Sequence, residues 1–165
     1  MRVLGIDPGL NITGFGCVEG EVLSETIVDA GVFRLAKAGA ADSAESLSAR
    51  LVELERDLKD LIEELKPDAV AVEAMFTNPK HPGTIVKMAH GRGVVLLTIK
   101  RSGTPVIELP PAEVKKGIAG HGQAKKAQMQ DAIMHLFRLA EPPQPDMADA
   151  LAIAVTALRR EHARV

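Results

Sequence analysis

Four carboxylates stand where chemistry would use them. Asp7 closes the apolar run "VLGID" just before Pro8 and Gly9. Glu73 interrupts the otherwise apolar "AVAVEAMF". Asp146 and Asp149 lie three apart in "PDMADALAIA", a spacing that puts both on one face of a helix. Singly, each acid has a plainer reading. Asp7 suits a turn, Asp146 an N-cap, and Asp149 the first turn of a helix. Glu73 is harder to dismiss, because a carboxylate in an apolar strand is costly unless paired or liganded. Brought together, the four would repel one another strongly unless a cation lay among them. Hard oxygen donors in that number suit Mg²⁺ or Mn²⁺.

A second set of residues suits a polyanion. Lys115, Lys116, Lys125 and Lys126 flank "GIAGHGQ" in a stretch with few acids. By composition alone they are solvated surface, although glycines that expose backbone N–H groups favour phosphates. The stretch is not a Walker A loop, since Gln123 stands where its lysine is required. Of the four aromatics, Phe15, Phe33 and Phe137 read as core. Phe76 follows Glu73 into the polar, proline-bearing "TNPKHPG", where it either caps the core or faces a ligand. Pro79 and Pro82 stiffen that loop and leave open any role for Lys80 or His81. His121 lies between two glycines and reads as exposed, and Cys17 reads as a small buried hydrophobe.

These residues must be positioned by regular elements. Residues 2–6 read as a buried strand, and 12–19 and about 22–35 as two more, with "EGE" as a hairpin turn. "RLAKAGAADSAES" reads as a surface loop. Leu47, Leu51, Leu54, Leu58, Leu61, Ile62 and Leu65 have helical spacing over 45–66, ending before Pro67. "DAVAVEAMF" is a strand, 84–101 a helix, and "TPVIELP" a strand. Pro110 and Pro111 open a short helix, and "GIAGHGQ" is a loop. Helices follow over 124–138 and 146–162. Antiparallel strands followed by crossovers give a mixed α/β sheet covered on both faces. Strand ends in such sheets are where sites gather.

The chain has 165 residues, 46% of them apolar, enough for one domain with a substantial core. The net charge of −2 gives no global sign of a nucleic-acid partner, so any basic surface must be local. No apolar run is long enough to span a membrane, and "MRVLGIDPG" lacks a signal-peptide pattern. With one cysteine and no zinc-type spacing, the expectation is a soluble cytoplasmic protein.

"GIDPGLNITGFG", "AVEAMF", "GRGV" and "PDMADALAIA", in this order along nearly the whole chain, resemble the RuvC Holliday-junction resolvases. The resemblance implies a ribonuclease H-like fold: a five-stranded mixed sheet with helices on both faces, as one nuclease domain over 1–165. It implies that Asp7, Glu73, Asp146 and Asp149 are catalytic and hold two Mg²⁺ per subunit, with Mn²⁺ able to substitute. Two divalent ions about 4 Å apart clamp the attacking and leaving oxygens of a phosphodiester. Phe76 would stack on an unpaired base, which is worth roughly 1–3 kcal/mol. Lys115 and Lys126 match positions that contact the scissile strand, with Lys116 and Lys125 beside them.

The same resemblance implies a homodimer paired through the helix carrying "AHGRG". Its substrate would be a four-way DNA junction, nicked symmetrically to leave 5′-phosphate and 3′-hydroxyl ends in homologous recombination and DNA repair. Its partner would be the RuvA–RuvB branch-migration complex. Three other readings fit less well. An actin-like phosphotransferase, suggested by "GIDPG", needs two such domains. A junction binder without catalysis would lack an acid. An RNA-processing relative would lack "EAMF".

Overall fold

The computed structural model describes residues 1–35, 43–75 and 82–164. Its strands are β1 (Arg2–Asp7), β2 (Ile12–Glu19), β3 (Thr26–Arg34), β4 (Ala69–Glu73) and β5 (Val106–Leu109). Its helices are α1 (Ala44–Leu65), α2 (Pro82–Ser102), α3 (Pro111–Ala119), α4 (Lys126–Phe137) and α5 (Pro145–His162). The strands form one sheet in the order β3-β2-β1-β4-β5. β1–β2 and β2–β3 are antiparallel, while β1–β4 and β4–β5 are parallel. The mixed sheet expected from three strands followed by crossovers is therefore present.

Alternation along the strands sorts the core into two layers. Leu4, Ile6, Cys17, Val70 and Val72 point to one face, where Leu54, Leu58 and Leu61 of α1 and Val95 and Ile99 of α2 cover them. Val3, Val18, Ala69 and Ala71 point to the other, covered by Leu151, Val155 and Leu158 of α5 with Val114 of α3 and Ile133 of α4. Fully burying each large aliphatic side chain stabilises the fold by about 1.5–3 kcal/mol. Phe15 and Phe33 stack at 5.0 Å between ring centroids against the α1–α2 layer. Cys17 is buried, and that burial pushes its thiol up to about 11.

Local signals explain the helix ends. The Ser43 hydroxyl accepts from the Ser46 N–H at 3.1 Å and caps α1. α1 stops at Leu65, with Lys66 left-handed, because Pro67 disfavours helical geometry in the residue before it. Pro111 and Pro145 open α3 and α5, where a missing N–H costs nothing.

Close approach places α5. A Cβ on Gly5 would lie 2.2 Å from the Ala150 carbonyl oxygen, and one on Gly14 would lie 2.0 Å from that of Asp146. Gly5 faces Ala150 and Ala154, and Gly14 faces Asp146, so the helix lies almost on the backbone of β1 and β2.

Pro82, which the sequence placed in a loop, is the first residue of α2, and two boundaries differ from the sequence expectation by more than two residues. β2 and β3 are joined by residues 20–25, not by a tight "EGE" turn. Ser24 N–H bonds the Glu21 carbonyl at 3.0 Å and Leu23 adopts φ 70°, so a local turn displaces the start of the strand. α3 also runs through Gly117–Ala119, which the sequence suggested was loop, and ends at left-handed Gly120. The exposed glycine loop is shorter as a result. Most of "RLAKAGAADSAES", and residues 76–81, lie outside the described residues.

Candidate metal and phosphate site

Asp7 and Glu73 are the last residues of two neighbouring parallel strands. Ile6 pairs with Val72, so the two acids stand side by side, and strand alternation turns both toward the α5 face. α5 begins at Pro145 and brings Asp146 and Asp149 to the same place. The four carboxylates share one cleft of about 680 Å³, which also admits Lys115, Lys125 and Lys126. Gly14 sets how near Asp146 comes, since any side chain there would strike that residue's backbone.

The electrostatics follow from burial and crowding. Loss of solvent, then repulsion from Asp149, Glu73 and Asp146, pushes the Asp7 carboxyl up to about 7. Burial and Asp149 likewise raise Glu73, and burial is the first cause of the rise at Asp149. Lys126 opposes these effects with its Nζ 3.7 Å from an Asp149 oxygen, and Lys115 lowers both Glu73 and Asp149. The Lys126–Asp149 pair is loose, with the lysine side chain 75% exposed, so its net worth is small.

Among the described residues no group of three or more His, Cys, Asp or Glu side chains is assembled closely enough to hold a metal ion as it stands. The donor set nonetheless fits a hard divalent ion. Mg²⁺ is ordinarily held by one or two carboxylates and keeps its other positions for water and phosphate oxygens. An open cleft lined by four carboxylates meets that description.

Lys116 is exposed on α3 and does not line the cleft. Phe76 lies outside the described residues, as do Pro79, Lys80 and His81. His121 is exposed. Gly9 has a local role: its Cβ would lie 2.1 Å from the Ile12 carbonyl oxygen, so the turn after Asp7 requires it whether or not a phosphate approaches.

Ile12, Met88, Met129 and Ile153 form an apolar wall to the cleft that the sequence did not single out. A smaller cavity of about 210 Å³ adjoins it, touching Asp7, Glu73, Met75 and Arg92. Arg92 was legible only as one charge inside the apolar run around "GRGV".

A five-stranded mixed sheet in this order, with acids at adjacent strand ends and at the start of the last helix, defines the ribonuclease H-like class. The family model described as crossover junction endodeoxyribonuclease RuvC matches residues 3–157. The chain belongs to the RuvC family. It is 40% identical over 157 residues to the crossover junction endodeoxyribonuclease RuvC of Synechococcus sp. (strain WH7803), covering 94% of this chain and 97% of that one. It is 44% identical over 158 residues to the Sorangium cellulosum protein of the same name, covering 96% and 84%. The T. thermophilus RuvC solved in complex with a Holliday junction substrate superposes with a TM-score of 0.82 at 30% identity, over 98% of this chain and 96% of that one.

Proposed function

We propose that this chain is a structure-selective endonuclease that resolves four-way DNA junctions by paired symmetrical nicks, in homologous recombination and DNA repair. The observation that carries the reading is the cleft, where four carboxylates from β1, β4 and α5 meet three lysines. Family membership and a relative that holds a Holliday junction support it.

Asp7, Glu73, Asp146 and Asp149 would hold two Mg²⁺ per subunit, or Mn²⁺ in their stead. When bound, these ions activate water and stabilise the charge on the leaving 3′ oxygen. The protein's own groups do the rest. The strand ends hold Asp7 and Glu73 rigidly on one face of the sheet. The apolar wall of Ile12, Met88 and Ile153 limits water around them. Lys126 exchanges its loose contact with Asp149 for a phosphate oxygen, and Lys115 supports it from α3. Lys125 opens α4, where the helix dipole also favours a phosphate, and its N–H is held by the Gln128 side chain at 2.9 Å. Lys116 has the weakest case. Phe76 stacks on an unpaired base near the crossover, by resemblance alone.

The products carry 5′-phosphate and 3′-hydroxyl ends. The branch-migration partner is the RuvA–RuvB complex, and the compartment is the cytoplasm, again by resemblance. Among the described residues no helix is long and apolar enough to cross a membrane.

The direct test incubates the protein with a mobile four-way junction and with a linear duplex of matched sequence. Paired nicks are expected in the junction alone, and only with Mg²⁺ or Mn²⁺. Tight junction binding without any cut would make the protein a binding module instead. Equal cutting of the linear duplex would remove the structure selectivity.

Paired cuts need two equivalent sites, which a two-fold dimer supplies. The outer stripe of α2 suits that role: Val86 is 57% and Leu97 48% exposed, and a Cβ on Gly93 would meet nothing within 4 Å. These positions recur at helical spacing on one face. Light scattering at micromolar concentration should give twice the 17.6 kDa chain mass. Leu97→Glu should yield a monomer whose junction nicks are no longer paired. A monomeric wild type, with and without junction DNA, would overturn the dimer.

A further inference from the structure

Arg92 sits on the inner side of α2, where Val95 and Ile99 continue the same face as core residues. Its side chain is only 11% exposed, and a charge in that position is costly unless every donor is used. The guanidinium has two partners. Nη1 donates to the backbone carbonyl of Glu73 at 2.5 Å, and Nη2 pairs with the Glu108 carboxylate on β5. The Glu108 carbonyl in turn accepts from Arg160 of α5 at 3.1 Å. One planar fork therefore joins α2, the end of β4 and the end of β5, and β5 is tied on to α5. Just past this point the Ala74 N–H makes its bond to the Leu109 carbonyl at 2.7 Å.

We propose that Arg92 is a positioning residue: by clamping the Glu73 carbonyl and Glu108, it fixes the end of β4 so that the Glu73 carboxylate is held ready for a divalent ion. The inference rests on the junction-nuclease reading above. It assigns Arg92 no contact with substrate. An apolar side chain of similar size would fill the space but leave the β4 end free to shift, and lysine would restore the charge without the fork.

The test compares wild type with Arg92→Gln, Arg92→Lys and Glu108→Ala. Three quantities are read: the Mn²⁺ concentration at half-maximal thermal stabilisation without DNA, junction affinity in Ca²⁺, and the single-turnover cleavage rate in saturating Mg²⁺. Loss of a group that orients a metal ligand typically costs 10–100-fold in metal affinity or activity. Arg92→Gln should raise the Mn²⁺ midpoint and slow cleavage by roughly tenfold or more each, with junction affinity unchanged within about twofold. Arg92→Lys should regain thermal stability but not the Mn²⁺ midpoint. Glu108→Ala, at a 57% exposed side chain, should shift both quantities in the same direction by less. If Arg92→Gln does not fold, Glu108→Ala decides alone. A Mn²⁺ midpoint and cleavage rate equal to wild type in a folded variant would overturn the proposal. A wild type that cuts no junction would sink the nuclease reading instead, and the Mn²⁺ midpoints would still judge Arg92.

Discussion

Asp7→Asn should abolish junction cleavage, by roughly a thousandfold, the scale of loss when a charge-stabilising group leaves a preorganised site. Junction binding in Ca²⁺ should survive, because it rests on the lysines. The same variant should be more stable than wild type at neutral pH without metal. The sign follows from the carboxyl. It titrates near 7 in the fold against an ordinary 3.8, so the folded state holds its proton more tightly than the unfolded chain does. The contribution of Asp7 to stability is therefore fully present below about pH 4 and is lost as pH rises through 7. Asparagine carries no charge and removes that slope. The expected gain at pH 8 is about 1–2 kcal/mol, well below the full shift because the site is partly open to solvent.

Added Mg²⁺ should reverse the ranking, since it stabilises the ionised wild type and has lost a ligand in the variant. Thermal melts from pH 4 to 8, with and without Mg²⁺, check this beside the cleavage assay. Near-wild-type cleavage would remove Asp7 from the chemistry. A stability difference independent of pH would remove the crowding of charge as its cause.

Gly14→Ala should cost about 2–4 kcal/mol, with the Tm falling by roughly 5–12 °C. The new Cβ would stand 2.0 Å from the Asp146 carbonyl oxygen and 2.5 Å from its carbon. Both are backbone atoms, so no rotamer change relieves the contact. Either β2 or the start of α5 must move by about an ångström, and α5 carries two of the four acids. Cleavage should therefore fall at temperatures where the variant is still fully folded. Calorimetry and single-turnover cleavage at 20 °C below the Tm separate the two effects. An unchanged Tm with full cleavage would mean that α5 can ride away from β2 without cost.

Short windows of sequence carried much of this structure. The leucine spacing of α1, Ser43, Pro67 and the prolines at 111 and 145 each act within a turn or two, so local chemistry determined those helices and their ends. Strand alternation determined that residues 3, 5 and 7 share a face, and the three-residue step joined Asp146 to Asp149. The four acids were legible because carboxylates in apolar surroundings are rare without a reason. Resemblance to RuvC then supplied roles that spacing alone could not.

The tertiary structure decided what depends on residues far apart in the chain. The 20–25 connection replaced a tight turn because a left-handed Leu23 and the Glu21–Ser24 bond compete with strand pairing. Gly5 and Gly14 looked like ordinary strand glycines, and only the packed helix shows that a methyl group at either would strike the backbone of α5, which carries two of the acids. Arg92 could not be distinguished from a surface charge until α2 turned it toward Glu73 and Glu108. The raised carboxyl of Asp7 exists in no local segment. Burial and the charges of β4 and α5 create it, and both arise only when the sheet and the last helix close on each other.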